Sequence, residues 1–347
     1  MNRSTQFLPL FALFVVISWS CDSGSITEKD IENVSGKPNL VTIQSPEKFP
    51  PLNIPFDNPT SQEGIALGRQ LFYDPMLDNL GEKSCASCHI QENSFSSADN
   101  SLNDSGLEIM PHVNLGWDTK FLWHGEVEGK LEDIMLFEVS EFFKTDLAKL
   151  QKTEHYPQQF RDVFGSEKIT YDLIAKALAQ FERSLISADS KFDRYLRKEV
   201  ELSEQEYRGF YLFYSEEGDC FHCHATVLFK DNLYHNNGLN DVFEGQDLGH
   251  YKVTKDSNDI GKFKTPTLRN IAQTAPYMHD GRFKSLKEVL DFYSDNVKYN
   301  PYIDPLMNHE GGINLTEEQK EDVIAFLHTL TDQSFMQAEA FSDPNKK

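Results

Sequence analysis

The sequence predicts a mostly α-helical protein made of two similar units in tandem. This rests on a repeated motif, on an amphipathic stretch that closes each half, and on the absence of long β-type alternation. With 347 residues the chain is long enough for two domains of ordinary size. Hydrophobic residues form 39% and charged residues 25%, which is the composition of a globular protein.

The repeated motif is Gly-x-x-Leu-Phe-Tyr followed by Cys-x-x-Cys-His. Its first copy occupies residues 68–73 and 85–89, and its second copy occupies residues 209–214 and 220–224. An internal repeat of this kind indicates two copies of one helical unit. We expect the joint between them near the charged stretch from Asp193 to Glu201.

Each half closes with a predicted amphipathic helix, over Tyr171 to Leu185 and over Glu317 to Leu330. Thr316, followed by Glu317 to Gln319, has the pattern of a helix N-cap. The apolar faces consist of Ile174, Leu178, Phe181 and Leu185 in the first helix, and of Val323, Phe326, Leu327 and Leu330 in the second.

The N-terminus has the pattern of a secretion signal. Arg3 precedes an apolar run from Phe7 to Trp19, which is too short for a mature membrane anchor. Cys21 then resembles the lipidated cysteine of a bacterial lipoprotein, with ordinary cleavage nearby as the alternative. The predicted organisation is a signal peptide (1–20), a tether and lead-in (21–59), two domains (60–195 and 196–335) and a tail (336–347).

The net charge of −22 disfavours nonspecific binding to nucleic acid or anionic lipid. The charge instead favours binding to a partner that has a cationic patch. The alternative is that it only keeps an exported protein soluble.

With Cys21 assigned to the lipid, four cysteines remain in two close pairs, each followed at once by His. Two disulfides, a zinc site or a thiol redox pair are the alternatives, but the repeated Cys-x-x-Cys-His spacing after an export signal favours covalent haem attachment. The predicted thioether residues are Cys85 and Cys88 for one haem c and Cys220 and Cys223 for the other, with His89 and His224 as proximal iron ligands.

Several further segments carry a family resemblance, chiefly residues 263–270 and 274–281, together with residues 231–232 and 235–239. With them the chain resembles the bacterial di-haem cytochrome c peroxidase family, which includes the MauG-type enzymes, from about Gly64 to Leu330. The resemblance implies two cytochrome c-like haem domains in tandem. It also implies reduction of hydrogen peroxide to water at the haem of His89, with electrons entering from a small cytochrome c or cupredoxin at the haem of His224.

The resemblance implies roles for further residues. Tyr293 matches the sixth-ligand position of the electron-entry haem, where the MauG-type branch has Tyr. A phenolate would lower the reduction potential relative to Met. Met278 and Met307 are the competing ligands, and Tyr293 as a core aromatic is the alternative. Trp123 matches the tryptophan between the two haems, with simple packing as its alternative.

The resemblance also implies a Ca²⁺ site and an open first haem. Glu108 and the backbone carbonyls of Thr274 and Pro276 match the calcium position, and a carboxylate is a suitable hard ligand. The position of the family's distal His falls on Ser105, and no His lies between Ile90 and Pro111. We therefore expect a peroxide site that needs no prior reduction.

One segment departs from the family pattern. Ungapped counting places Lys144 at the family's catalytic Glu and Ile134 at an accompanying Gln. The alternative acid-base candidates are Glu138, Glu141, His112 and His124. If His112 or His124 instead ligates the first iron, the protein would be an electron-transfer or redox-sensing cytochrome without turnover; MauG-like oxidation of a protein substrate is another alternative.

Overall fold

Two pairs of packed helices organise the chain, and two short strand ladders and irregular segments connect them. The computed structural model describes residues 38–97, 101–307 and 311–346. The predicted signal peptide and Cys21 lie outside these residues.

The mostly α-helical class is confirmed. The helices are α1 (Gln62–Tyr73), α2 (Cys85–Cys88), α3 (Leu131–Phe137), α4 (Leu147–Gln151), α5 (Tyr156–Phe164), α6 (Tyr171–Ser184), α7 (Lys191–Leu196), α8 (Glu204–Phe213), α9 (Tyr251–Thr254), α10 (Leu286–Asp295), α11 (Glu317–His328) and α12 (Gln333–Gln337).

The strands form two antiparallel pairs. β1 (Lys120–Phe121) pairs with β2 (Val127–Glu128), and β3 (Tyr234–His235) pairs with β4 (Phe263–Lys264). The second pair joins the segment after the second Cys-x-x-Cys-His motif to the start of the Phe-Lys-Thr-Pro segment. This pairing therefore places Tyr234 and His235 beside Lys264 and Phe263, which lie about thirty residues later in the chain.

The repeated glycine of the sequence motif lies where two helices cross. In the first half α1 packs on α6, and a Cβ on Gly68 would lie 2.0 Å from the carbonyl oxygen of Ala177. In the second half α8 packs on α11, and a Cβ on Gly209 would lie 1.8 Å from the carbonyl oxygen of Asp322. Both distances are far inside van der Waals contact, so only glycine permits this helix spacing.

The two predicted closing helices are confirmed, with ends one and two residues before the predicted ones. The hydroxyl of Thr170 caps α6 by accepting a hydrogen bond from the backbone N–H of Leu173. The predicted N-cap Thr316 forms a capping box with Gln319 at the start of α11.

Each helix pairing has its own hydrophobic core. The first core extends from Leu67 to Leu185, and the second begins at Phe192. Phe335 and Met336 of α12 join the first core, so the end of the chain returns to the N-terminal half. The domain limits stay a prediction. Among the described residues, we find no helix with the length and apolar character needed to cross a membrane.

Candidate haem sites

Each Cys-x-x-Cys-His motif lines a separate cavity. The first cavity contains Cys85, Cys88 and His89 and measures about 310 Å³, and the second contains Cys220, Cys223 and His224 and measures about 210 Å³. A water molecule needs only ~10–15 Å³ measured in this way. The cavities thus suit a group of many atoms rather than a single ion. All four of these thiols are free, as thioether formation requires.

Both predicted proximal histidines are oriented in the same way. The Nδ1–H of His89 donates to the carbonyl oxygen of Phe95 at 2.9 Å, and that of His224 donates to the carbonyl oxygen of Phe229 at 3.0 Å. Burial lowers the pKa of His89 well below its usual range, and it also lowers the pKa of His224. A neutral imidazole that donates from Nδ1 leaves Nε2 available for iron.

The orienting residues Phe95 and Phe229 were not identified from the sequence. Both adopt a positive φ, 56° and 52°, which turns the carbonyl toward the imidazole. A few residues after each motif the chain thus makes the same unusual turn. The repeat of Cys-x-x-Cys-His followed by Phe at a distance of six and five residues was the available signal.

Tyr293 and both competing methionines line the second cavity. The Tyr293 hydroxyl accepts a hydrogen bond from Asn237 Nδ2 at 3.0 Å, and the same nitrogen lies 3.7 Å from Met278 Sδ. Burial raises the pKa of Tyr293 to about 12, against the opposing effect of the Asn237 hydrogen bond. Met307 packs in the same small core cluster. The structure brings the three candidates together, and the assignment of Tyr293 stays a prediction.

His235 lines the second cavity and belongs to the segment 235–239 that resembles the family, but the sequence predicted no role for it. Its two ring nitrogens face Asp304 at 2.6 Å and Asp231 at 2.7 Å. Burial lowers its pKa, but the two carboxylates outweigh burial and raise the pKa to about 12. Two aspartates therefore hold the His235 ring beside Cys223 and favour its protonated form.

Of the candidate acid-base carboxylates, the structure brings only Glu138 to the first cavity. Glu141 and Lys144 are exposed and do not line it, and Ile134 is a core residue. Glu138 begins a π-helical turn (Glu138–Phe142) after α3, a type of segment frequent at functional sites. Burial raises its pKa to about 7, with His112 opposing and Glu182 adding to the shift. Ungapped counting pointed to Lys144, and Glu138 was one of the four alternative candidates, whose catalytic role stays a prediction.

The two candidate histidines have different surroundings. His112 lines the first cavity and faces Glu182 at 2.9 Å, whereas His124 is buried between Glu126 and the carbonyl of Gln246 and does not line either cavity. The His112 ring stacks on His89 with centroids 3.6 Å apart. Stacked rings present their nitrogens side by side, whereas two axial ligands approach iron from opposite faces. This geometry favours an open first site.

Trp123 and Glu108 lie between the cavities and line both of them. The indole Nε1–H of Trp123 donates to the Glu108 carbonyl at 2.9 Å, and the Trp123 carbonyl accepts from the backbone N–H of Lys264 at 3.0 Å. These bonds hold the indole between the two predicted haem positions.

The Glu108 carboxyl fits a hard cation. Burial raises its pKa well above the usual range, and within the described residues its Oε1 has no hydrogen-bond partner. Thr274 and Pro276 line the second cavity together with Glu108. A buried carboxylate oxygen without a donor is suited to Ca²⁺, so the predicted site keeps physical support.

Comparisons with known proteins agree with this geometry. Residues 62–201 match the family model described as di-haem cytochrome c peroxidase. A methylamine utilization protein MauG from Methylorubrum extorquens is 34% identical over 83% of both chains. The cytochrome-c peroxidase IdrP1 of a Pseudomonas species is 32% identical over 82% of this chain and 84% of its own. A solved MauG-like protein associated with microbial copper homeostasis superposes with a TM-score of 0.82 at 32% identity, covering 88% of this chain and all 100% of its own. Each of the two cavities contains one Cys-x-x-Cys-His motif. Together with this arrangement, the similarities show that the chain belongs to the di-haem cytochrome c peroxidase family.

Proposed function

We propose that this enzyme of peroxidase type, which as a family member holds two haem c groups, reduces hydrogen peroxide to water at the haem of His89. Electrons enter from a small cytochrome c or cupredoxin at the haem of His224. The carrying observation is Glu138, whose half-buried side chain lines the first cavity, and desolvation of its carboxyl raises its pKa to about 7. The haem supplies an iron centre that binds peroxide and accepts electrons.

Glu138 supplies the proton transfer that peroxide cleavage requires. Its carboxylate oxygen would accept the proton from one peroxide oxygen and return it to the other, which would leave as water, and the haem would supply the electrons for cleavage of the O–O bond. A pKa near the working pH suits a group that must both accept and donate a proton. Phe142 and Phe143 follow Glu138 in the chain and line the same cavity.

The test compares Glu138→Gln with Glu141→Gln in the holoprotein. Peroxide consumption with a reduced donor should fall about 10²- to 10⁴-fold in the first variant, because the amide cannot take up the proton. The Glu141 variant should keep wild-type turnover, since that side chain is exposed. Equal activities of Glu138→Gln and wild type would remove Glu138 from the mechanism.

The proposed electron route passes Trp123. Its support is the position of the indole, which lines both cavities and is held by hydrogen bonds at both its ring and its backbone. An aromatic ring fixed between the two cavities offers a short path for electron transfer from one to the other.

A second candidate function is MauG-like oxidation of a protein substrate. It is favoured by the relative named as a methylamine utilization protein MauG and by the position of Tyr293 in the second cavity. Peroxide consumption that proceeds with a reduced small cytochrome supports the first function; consumption only with a protein substrate supports the second.

The proposed location is the periplasmic or outer-envelope side of the membrane, with lipid attachment at Cys21. The support is the N-terminal pattern together with the covalent haem motifs. Mass spectrometry of the mature N-terminus tests it: a diacylated cysteine is expected, and an unmodified N-terminus would contradict lipidation.

A further inference from the structure

A buried group of charges lies between the two cavities. Asp118 forms ion pairs with Lys230 and, at 3.2 Å, with Lys264, and each of the three side chains is at most 3% exposed. Lys230 Nζ also reaches the carbonyl of Asn114 at 3.2 Å. Two ammonium groups thus share a single carboxylate away from solvent.

The charge in this group does not balance. Two lysines and one aspartate leave one excess positive charge, and a buried charge without a counter-charge is costly. Burial lowers the pKa of Lys230 to about 8 even though Asp118 opposes the shift. The nearby Arg269 does not supply the missing anion, because it is itself a cation and is already paired with Asp193 at 2.7 Å. One further carboxylate would make the group neutral.

The position of the group indicates where that carboxylate comes from. Lys230 and Asp118 line the first cavity, and Lys264 lines both cavities. A haem c carries two propionate carboxylates at its edge, and the first cavity is the one that contains Cys85 and His89. An anion presented from inside this cavity would meet the ammonium groups directly.

From this arrangement we infer that Lys230 and Lys264 bind one propionate carboxylate of the haem held by His89. The C-terminal half thereby supplies the cations that orient the cofactor of the N-terminal half. Lys264 also donates its backbone N–H to the carbonyl of Trp123, so one residue contacts both the cofactor edge and the proposed electron route. The inference depends on a haem at His89 and does not depend on peroxide turnover.

The test uses the holoprotein and two variants with opposite expected effects. Lys230→Met removes a cation beside the propionate, so the reduction potential of the first haem should fall and its propionate bending band in resonance Raman should shift. Asp118→Asn removes the competing anion, so the same potential should rise. Lys83→Met is the control, since Lys83 lines the same cavity but is exposed and paired with Asp104.

The outcomes separate the inference from simple disruption of the fold. Potentials that move in opposite directions in the two variants, with an unchanged control, support propionate binding. Shifts of the same sign in both variants, or an unchanged propionate band in Lys230→Met, would overturn it. A shift confined to the haem of His224 would also overturn it, because the carboxylate would then belong to the second cofactor. If Lys230→Met does not fold, Asp118→Asn is compared with the control in both measurements: a higher potential of the first haem together with a shifted propionate band supports the inference, and an unchanged propionate band overturns it.

Discussion

His89 and Phe95 are joined by a hydrogen bond of 2.9 Å from the imidazole Nδ1 to the backbone carbonyl oxygen. The equivalent bond from His224 to Phe229 measures 3.0 Å. Both bonds depend on a left-handed phenylalanine, and the Phe95 ring also packs on Phe335 of the returning C-terminal helix. The orientation of the first proximal ligand is thus supported from the far end of the chain.

Glu138→Gln should change the pH dependence of stability. The folded-state pKa of about 7 exceeds the ordinary value of 4.5, so folding takes up a proton between these two pH values. The wild type therefore loses stability as pH rises through this window, and the glutamine variant does not. Denaturant titration at pH 4.5 and pH 8 gives the free energy of unfolding of both proteins. Relative to the wild type, the variant should be more stable at pH 8 than at pH 4.5. A stability difference that is the same at both pH values would contradict the raised pKa.

Tyr293→Met should alter the spectrum of the second haem only and raise its reduction potential, because a thioether donates less charge to iron than a phenolate. Spectroelectrochemical titration measures both effects. Tyr299→Met serves as control, since Tyr299 is 75% exposed. Identical spectra for Tyr293→Met and wild type would remove Tyr293 as a ligand.

Trp123→Phe should slow electron transfer from the second haem to the first while leaving both static spectra unchanged. Stopped-flow oxidation by peroxide of the reduced protein follows this step. The control is Trp117→Phe, because Trp117 hydrogen bonds to Pro50 and does not line either cavity. Equal rates in the two variants would assign Trp123 to packing alone.

Removal of Ca²⁺ by a chelator should lower the Tm of the wild type. At a free calcium concentration of about 100 times Kd the bound ion contributes about 2.7 kcal/mol. Glu108→Gln should abolish the chelator effect, while Glu204→Gln, which alters an exposed residue, should keep it. A Tm that does not respond to chelator in the wild type would exclude the site.

Gly209→Ala should destabilise the second helix pairing by about 1–3 kcal/mol, since the added methyl would collide with the Asp322 carbonyl of α11. Gly68→Ala should act in the same way on the first pairing. Gln205→Ala on the exposed face of α8 is the control. Denaturant titration gives the free energy of unfolding; a neutral Gly209 variant would show that the helices can separate without cost.

The helix predictions succeeded where the signal was local. The apolar spacing of α6 and α11 and the Thr316 cap act within a few turns of backbone, so one sequence reveals them. The acid-base assignment left four candidates open for the opposite reason. Glu138 and Glu141 lie three residues apart, and only the π-helical turn and its packing determine that one lines the first cavity and the other is exposed.

The sequence by itself indicated the family, and it predicted the two haem-attachment motifs with His89 and His224 as proximal ligands, because covalent attachment needs a fixed local order of cysteines and histidine. Only the tertiary structure decided which side chains meet in the cavities. Glu108, Trp123 and Lys264 lie between the two cavities because segments distant in the chain pack together there. The pairing of Asp118 with Lys230 has the same origin. Such contacts depend on packing and burial across the whole fold, and no local pattern encodes them.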